Sequence, residues 1–309
     1  MPDAPLPEAL PARIVFVFLD GVGLGPTTDH NPFASLALPH FERLAGGQRW
    51  TADAVPIAES GHLFRPIDAT LGVEGLPQSG TGQATLLTGV NCAARAGRHF
   101  GPYPHSTSKP VIAARNLFVR LRDAGRTGAF ANAYPDRFFR YAEGRGRWTV
   151  TTLCCIEAGV PLRREADLRA GDALTADLTA AAWPEHLGID VPVISEEAAG
   201  RRLARLSHAA DLTLFEYYLT DKAGHSQSPG RAAATLRSLD AFFGGLLGAL
   251  DEGDLLVVTS DHGNLEDLGT KTHTRHPVPL VALGPGAAAL AEVGNLMDVT
   301  PALVALLTK

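Results

Sequence analysis

The chain has little cysteine: Cys92, Cys154 and Cys155 are its only thiols among 309 residues. Two adjacent cysteines and one distant one make no disulfide framework, and they are too few for a cysteine-based metal site. They fit small core residues in a reducing cytoplasm, the location expected here. Positive charge is not in excess either. Twenty-seven Lys and Arg against 33 Asp and Glu give a net charge of −6 with no basic block, which argues against nucleic acid as the main partner. No stretch approaches the roughly 18 uninterrupted apolar residues of a membrane span, so no membrane is expected. Residues 1–13 carry several prolines and no apolar run, which argues against a secretory signal. What remains is a globular composition, 45% hydrophobic and 19% charged, with room for one large core and a second small one.

Two common signatures are also missing. Asp20-Gly21-Val22-Gly23-Leu24-Gly25 follows the apolar run Ile14 to Leu19, but its glycines alternate too closely for a dinucleotide fingerprint, and the acid precedes them. Gly75 to Gly89 contains Ser79 and Thr81 between glycines, without the Gly-Lys-Ser/Thr ending of a phosphate-cradling loop and without a Gly-x-Ser-x-Gly elbow. Small hydroxyl residues before a helix-compatible run place a nucleophile-sized side chain at a helix N-terminus, where free N–H groups attract phosphate oxygens. An ordinary Ser or Thr N-cap would look the same.

Continuous apolar runs occur at Ile14 to Leu19 and Leu255 to Val258, and Leu212 to Leu219 also reads as a strand. Continuous character points to central strands covered on both faces. Each run leads to an aspartate: Asp20, Asp221 and Asp261. Asp221 and His225 are spaced so that one helical turn puts both on one face. His262 follows Asp261 directly, and His273 and His276 lie shortly beyond. Each piece has a bland explanation as a turn, a cap or a solvated face. Together they supply three carboxylates, three imidazoles and a hydroxyl, enough for two divalent ions, with Mn²⁺ and Zn²⁺ both suited to such a mixture.

Between residues 96 and 199 the texture changes. A helix is expected from Pro110 to Ala124, then short segments at Thr127 to Ala133 and Trp148 to Ile156, with Arg137, Arg140, Arg145 and Arg147 between them. We read 96–199 as an inserted α+β cap, and 1–95 with 200–309 as a discontinuous core. Helices are expected at Glu196 to Leu206 and Arg231 to Leu250, a strand at Val278 to Gly284, and a last helix opening with Thr300 as N-cap and Pro301 behind it.

The ordered motifs Leu19-Asp20-Gly21-Val22-Gly23, Gln78-Ser79-Gly80-Thr81-Gly82-Gln83, Asp221-Lys222-Ala223-Gly224-His225, Ser260-Asp261-His262-Gly263-Asn264 and Thr272-His273-Thr274-Arg275-His276-Pro277 resemble the alkaline phosphatase superfamily. The likeness is to its branch of cofactor-independent phosphoglycerate mutase and phosphopentomutase. The resemblance implies a three-layer α/β sandwich with a mostly parallel central sheet. It implies one metal on Asp221, His225 and His273, and another on Asp20, Asp261 and His262 with the Ser79 oxygen. Ser79 would be the phosphorylated nucleophile, with Thr81 as its alternative, and His276 a competitor of His273. The implied activity is phosphoryl transfer on a small phosphorylated metabolite. A phosphomutase leads, a phosphatase or phosphodiesterase on the same core is the alternative, and a metal-binding module without catalysis comes third. Lys109, Arg137 and Arg140 are candidate phosphate clamps in the cap, where the substrate motif of the bacterial mutase is not found.

Overall fold

The strand signals of the sequence come together in one mixed sheet. The structure, a computed structural model, describes residues 10–308, so most of the segment bearing on a secretory signal lies outside the described residues. The strands are β1 (Arg13–Leu19), β2 (Ile57–Glu59), β3 (His62–Ile67), β4 (Gly128–Phe130), β5 (Leu212–Tyr217), β6 (Asp254–Ser260) and β7 (Val278–Leu283). They form a seven-stranded sheet in the order β2-β3-β7-β6-β1-β5-β4. The segment β6-β1-β5-β4 is parallel throughout, while β7, β3 and β2 add antiparallel pairs at the other side.

β1 sits between β5 and β6, and Ile14 to Leu19 are all buried, as an uninterrupted apolar strand requires. Its side chains alternate between two cores. Ile14, Phe16 and Phe18 face a layer that includes the helices Ser79–Thr88, Leu117–Asp123, Val150–Ala158 and Leu296–Thr308. Val15, Val17 and Leu19 face a layer that includes Glu196–Ser207 and Pro229–Leu247. The result is the expected α/β/α sandwich. Register decides where its functional edge lies: Leu19 pairs with both Tyr217 and Ser260, so β1, β5 and β6 end level, and the residues that follow them emerge side by side.

The expected insert does not stand apart as a whole. β4 pairs in parallel with β5 in the main sheet, and Val111, Phe118, Phe130 and Cys154 pack in the same core as Phe16. Asn132 ties this region to β5 by accepting from Glu216 N–H at 2.9 Å and donating to the Glu216 carbonyl at 2.7 Å. A three-residue strand carries too little pattern to be read from sequence. A small separate cluster, including Ala133, Leu168, Ala173 and Trp183, is what lies off the main core. Two helix boundaries also differ from expectation. Asn116, extended at ψ 166°, breaks the 109–123 stretch and caps the second half by accepting from Phe118 N–H and Val119 N–H. The last helix begins at Leu296, so Thr300 lies inside it, where its hydroxyl donates to the Leu86 carbonyl at 2.7 Å.

The helices Glu196–Ser207 and Pro229–Leu247 cross at glycines. A Cβ on Gly245 would be driven into the Glu197 carbonyl, and one on Gly200 into the Phe242 carbonyl. Backbone blocks both positions and has no rotamer by which to yield. Gly245→Ala is therefore expected to destabilise the fold by about 2–3 kcal/mol, read as a lower urea midpoint at unchanged m-value; a wild-type midpoint would contradict the crossing geometry.

Candidate metal centre

The level strand ends bring the three aspartates together. Asp20 follows β1 directly and Asp261 follows β6, while Asp221 lies in the short helix Leu219–His225 after β5. That helix places Asp221 and His225 on one face, with His225 Nε2 3.3 Å from Asp221 Oδ2. Glycine makes the close approach possible: at φ +70°, Gly21 passes so near Asp221 that a Cβ would lie 2.8 Å from its Oδ1. A Cβ on Gly82 would likewise lie 2.9 Å from the Asp261 carbonyl, so the helix carrying Ser79 sits against the end of β6.

Three histidines are turned the same way by the same device. His225 Nδ1 lies 2.8 Å from the Lys271 carbonyl, His273 Nδ1 2.7 Å from the Pro77 carbonyl, and His262 Nδ1 3.3 Å from the Gly263 carbonyl. A carbonyl can only accept, so each Nδ1 carries the proton and each Nε2 presents a lone pair. Those lone pairs converge. His273 Nε2 lies 3.2 Å from His225 Nε2 and 3.5 Å from Asp221 Oδ1. His262 Nε2 lies 3.4 Å from Asp20 Oδ1, 3.5 Å from Asp261 Oδ2 and 3.0 Å from Ser79 Oγ, whose hydroxyl donates to it. The His262 and His273 rings stack at 3.8 Å and join the two groups.

This arrangement fits cations. Two imidazole lone pairs facing each other at 3.2 Å repel unless something positive lies between them. Asp20 Oδ1 and Asp261 Oδ2 are buried with no hydrogen-bond partner among the described residues. Such atoms are costly unless a ligand satisfies them. Asp20, Asp261 and His262 have ligand atoms within 4.8 Å of one another, as do Asp221, His262 and His273. The chain thus has donor groups suited to divalent metal. Electrostatics agree: burial, then Asp261, Asp221 and Glu216, hold the Asp20 carboxyl well above the usual range. Burial and Asp221 push Asp261 up to about 7. Burial lowers His262, and burial with His262 lowers His273 to about 4, so both rings stay neutral.

Several expected residues have other engagements. His276 does not share the inward position of His273; its Nδ1 pairs with Glu266 at 3.1 Å. Thr81 is fully buried, its hydroxyl donating to the Gln78 carbonyl at 3.3 Å and accepting from Phe100 N–H at 3.1 Å. Arg137 and Arg140 are exposed on the helix Asp136–Arg145, with no ion pair among the described residues. Lys109 lines a surface cavity beside the Ser79 loop.

Three supporting residues were not assigned a role from the sequence: Asn264, although it lies within a motif, Glu266 and Glu216. Asn264 donates to Asp221 Oδ1 at 2.6 Å and so orients that carboxylate. Glu266 accepts from Gly23 N–H and Asn264 N–H at 2.8 Å each, from the Thr274 hydroxyl, and from His276, tying three motif loops to one buried carboxylate. Burial alone would raise Glu266, but these hydrogen bonds outweigh it and hold the group below its ordinary value. Glu216 is raised to about 7 by burial, although Thr151 donates to it at 2.7 Å. Its one available signal is that it is the only charged residue in β5.

With this geometry in view, residues 192–308 match the model of the Metalloenzyme superfamily. A 2,3-bisphosphoglycerate-independent phosphoglycerate mutase of Dinoroseobacter shibae is 32% identical over 121 residues, 37% of this chain and 24% of that protein. A phosphopentomutase of Methylobacterium radiotolerans is 46% identical over 66 residues, 21% of this chain and 16% of that protein. The chain therefore matches about a quarter or less of the length of these relatives. The alkaline phosphatase of the Antarctic bacterium TAB5 superposes with a TM-score of 0.57 at 11% identity, over 97% of this chain and 98% of the other. The fold is alkaline phosphatase-like.

Two outcomes follow. Asp20 and Asp261 have folded pKa values above their unfolded ones, so their contribution is present at low pH and is lost as pH rises, for Asp261 through about 7. Chelator-treated protein should melt at a lower temperature at about pH 8 than at about pH 5.5, and added divalent cation should restore the loss; a metal-free melting temperature flat over that window would contradict the crowded carboxylates. Glu266→Ala should weaken divalent-cation affinity by about 10- to 100-fold, because it frees three loops without touching the ligand atoms; unchanged affinity by calorimetry would remove the tie.

Proposed function

We propose that the protein is a metal-dependent phosphotransferase in which Ser79 takes the phosphoryl group from a small phosphorylated metabolite. The observation that carries this reading is a cluster of three carboxylates and three Nε2 lone pairs in which His262, beside Asp20 and Asp261, also meets the hydroxyl of Ser79 at a helix N-terminus. Asp221, His225 and His273 would hold one divalent ion, and Asp20, Asp261, His262 and the Ser79 oxygen the other, with Mn²⁺ or Zn²⁺ suited to the mixture. When bound, paired cations cancel the charge of phosphate oxygens that would repel a nucleophile and lower the pKa of the hydroxyl.

The chain's own residues supply the positioning. Thr81 N–H and Gly82 N–H are spent on the Phe100 and Gln78 carbonyls at 2.8 Å each, which fixes the first turn and leaves Ser79 at the positive end of the helix. Ser79 Oγ attacks phosphorus in line with the departing ester oxygen, giving a phosphoserine. Lys222, next to Asp221 in the chain with its ammonium over the Tyr218 ring at 4.5 Å, is a cation available to an anionic substrate, and burial lowers its pKa against the pull of Asp221 and Asp20.

The phosphoserine can return its phosphoryl group to a second hydroxyl of the same substrate or pass it to water. The mutase names of the relatives support the first course. A specific observation favours the second: the His225 side chain is 44% exposed, so water reaches the site from that side. The substrate is a soluble metabolite in either case. Among the described residues no helix is long and apolar enough to cross a membrane, and the three thiols are free and buried, in keeping with a cytoplasmic setting.

Ser79→Ala should leave metal binding nearly intact, because the Asp and His ligands remain, and abolish both turnover and the phosphopeptide found by mass spectrometry, a loss of at least about 10³-fold. Retained turnover would move the nucleophile elsewhere. Incubating metal-loaded enzyme with 3-phosphoglycerate and with an aryl phosphate separates the courses: isomer without free phosphate marks a mutase, and free phosphate alone marks a hydrolase.

A further inference from the structure

A cavity of about 370 Å³ lies against the loop that carries Ser79, and its lining includes Phe100, Gly101, Tyr103, Lys109, Arg147 and Trp148. That volume is in the range of small-molecule sites. The wall it shares with the nucleophile is tight. Phe100 exchanges hydrogen bonds with Thr81, its carbonyl accepting at 2.8 Å and its N–H donating to the hydroxyl at 3.1 Å. A Cβ on Gly101 would lie 3.3 Å from Ser79 N and from Gly80 N, and one on Gly80 would run into the Tyr103 carbonyl. The backbone that braces Ser79 is thus the backbone that forms one side of the cavity.

The chemistry of the lining is distinctive. Tyr103, Phe100 and Trp148 supply aromatic surface, with Trp148 held by Phe138 and Phe139 at 6.0 and 6.4 Å between ring centroids. Arg147 lies 5.7 Å from the Tyr103 ring centroid, and Arg145 covers Tyr141 beside it at 5.2 Å. Lys109 and Arg147 are the charged residues of the lining, and no carboxylate is among its residues. Aromatic faces with cations and no acids suit a flat, anionic group.

We infer that this cavity receives the organic half of the phosphate ester, and that this half is a flat ring bearing a negative charge: the ring lies against Tyr103 and Trp148, and the charge meets Lys109 and Arg147. The inference rests on Ser79 taking the phosphoryl group, and it names the substrate class for that step.

The test uses the metal-loaded full chain and three phosphonates, whose carbon–phosphorus bond prevents transfer: propylphosphonate, benzylphosphonate and 4-carboxybenzylphosphonate. Calorimetry should give roughly tenfold tighter binding for benzyl than for propyl, and roughly fivefold more for the carboxylate. Trp148→Leu should erase the first step. Lys109→Ala with Arg147→Ala should erase the second alone, and both side chains are exposed, so the fold is not at stake. Equal binding of the three compounds, or preferences that survive these substitutions, would overturn the inference. The outcome is separable from the phosphoryl-transfer reading. Phosphorylated Ser79 with equal phosphonate binding removes the cavity alone, whereas an intact ring preference with Ser79 never phosphorylated removes the transfer step and leaves the cavity as a binding site.

Discussion

Like charges forced together at the end of a parallel sheet are the constraint from which the rest of the molecule follows. Asp20 and Asp261 are carried to one spot by a register in which β1 and β6 stop level, and Asp221 arrives there on the turn of helix after β5. Buried carboxylates in contact raise one another's pKa and cost stability unless a cation or a proton intervenes. A sequence selected for folding alone would place apolar residues at such an edge. The Gly21 and Gly82 positions show the backbone giving up side chains so that the aspartates approach more closely.

The imidazoles answer that charge through their backbone partners. Each of the three inward histidines donates a hydrogen bond from Nδ1–H to a main-chain carbonyl, and this directs the remaining lone pair without any further side chain. The same rule explains His276, whose Nδ1 meets a carboxylate and which therefore belongs to the scaffold. Burial differs between the two groups. The Asp261 and His262 side chains are sealed, while His225 opens to solvent, so an ion on the His225 side would exchange with bulk more readily than its neighbour.

Much of this was legible in the chain because β1 and the middle of β6 are continuous apolar runs and β5 is largely apolar, and an aspartate after such a segment marks a sheet edge. The helical spacing of Asp221 and His225 was equally plain. Glu266 was not, because its role exists only where three loops meet, and no local pattern encodes that meeting. The hairpin β2-β3 was hidden by Arg65 and Pro66 in a strand that pairs beyond the parallel core. The middle of the chain misled for a different reason. Gly128-Ala129-Phe130 is too short to announce a strand, and the change of texture around it suggested an inserted cap, while residues of the flanking helices are buried with β1 in one core.

The placement of β1 has a consequence for how the chain comes into being. Gly21 and Asp261, which touch through an N–H and a carboxylate, are separated by 240 positions. While the polypeptide emerges from the ribosome, the stickiest segment near its start has neither neighbouring strand until β5 and β6 have been translated. Non-local pairing of this kind is slow and leaves apolar surface open to wrong encounters. β1, the first strand of the chain, therefore gains both of its neighbours only after the long stretch between them has been made, and its apolar faces stay uncovered during that interval.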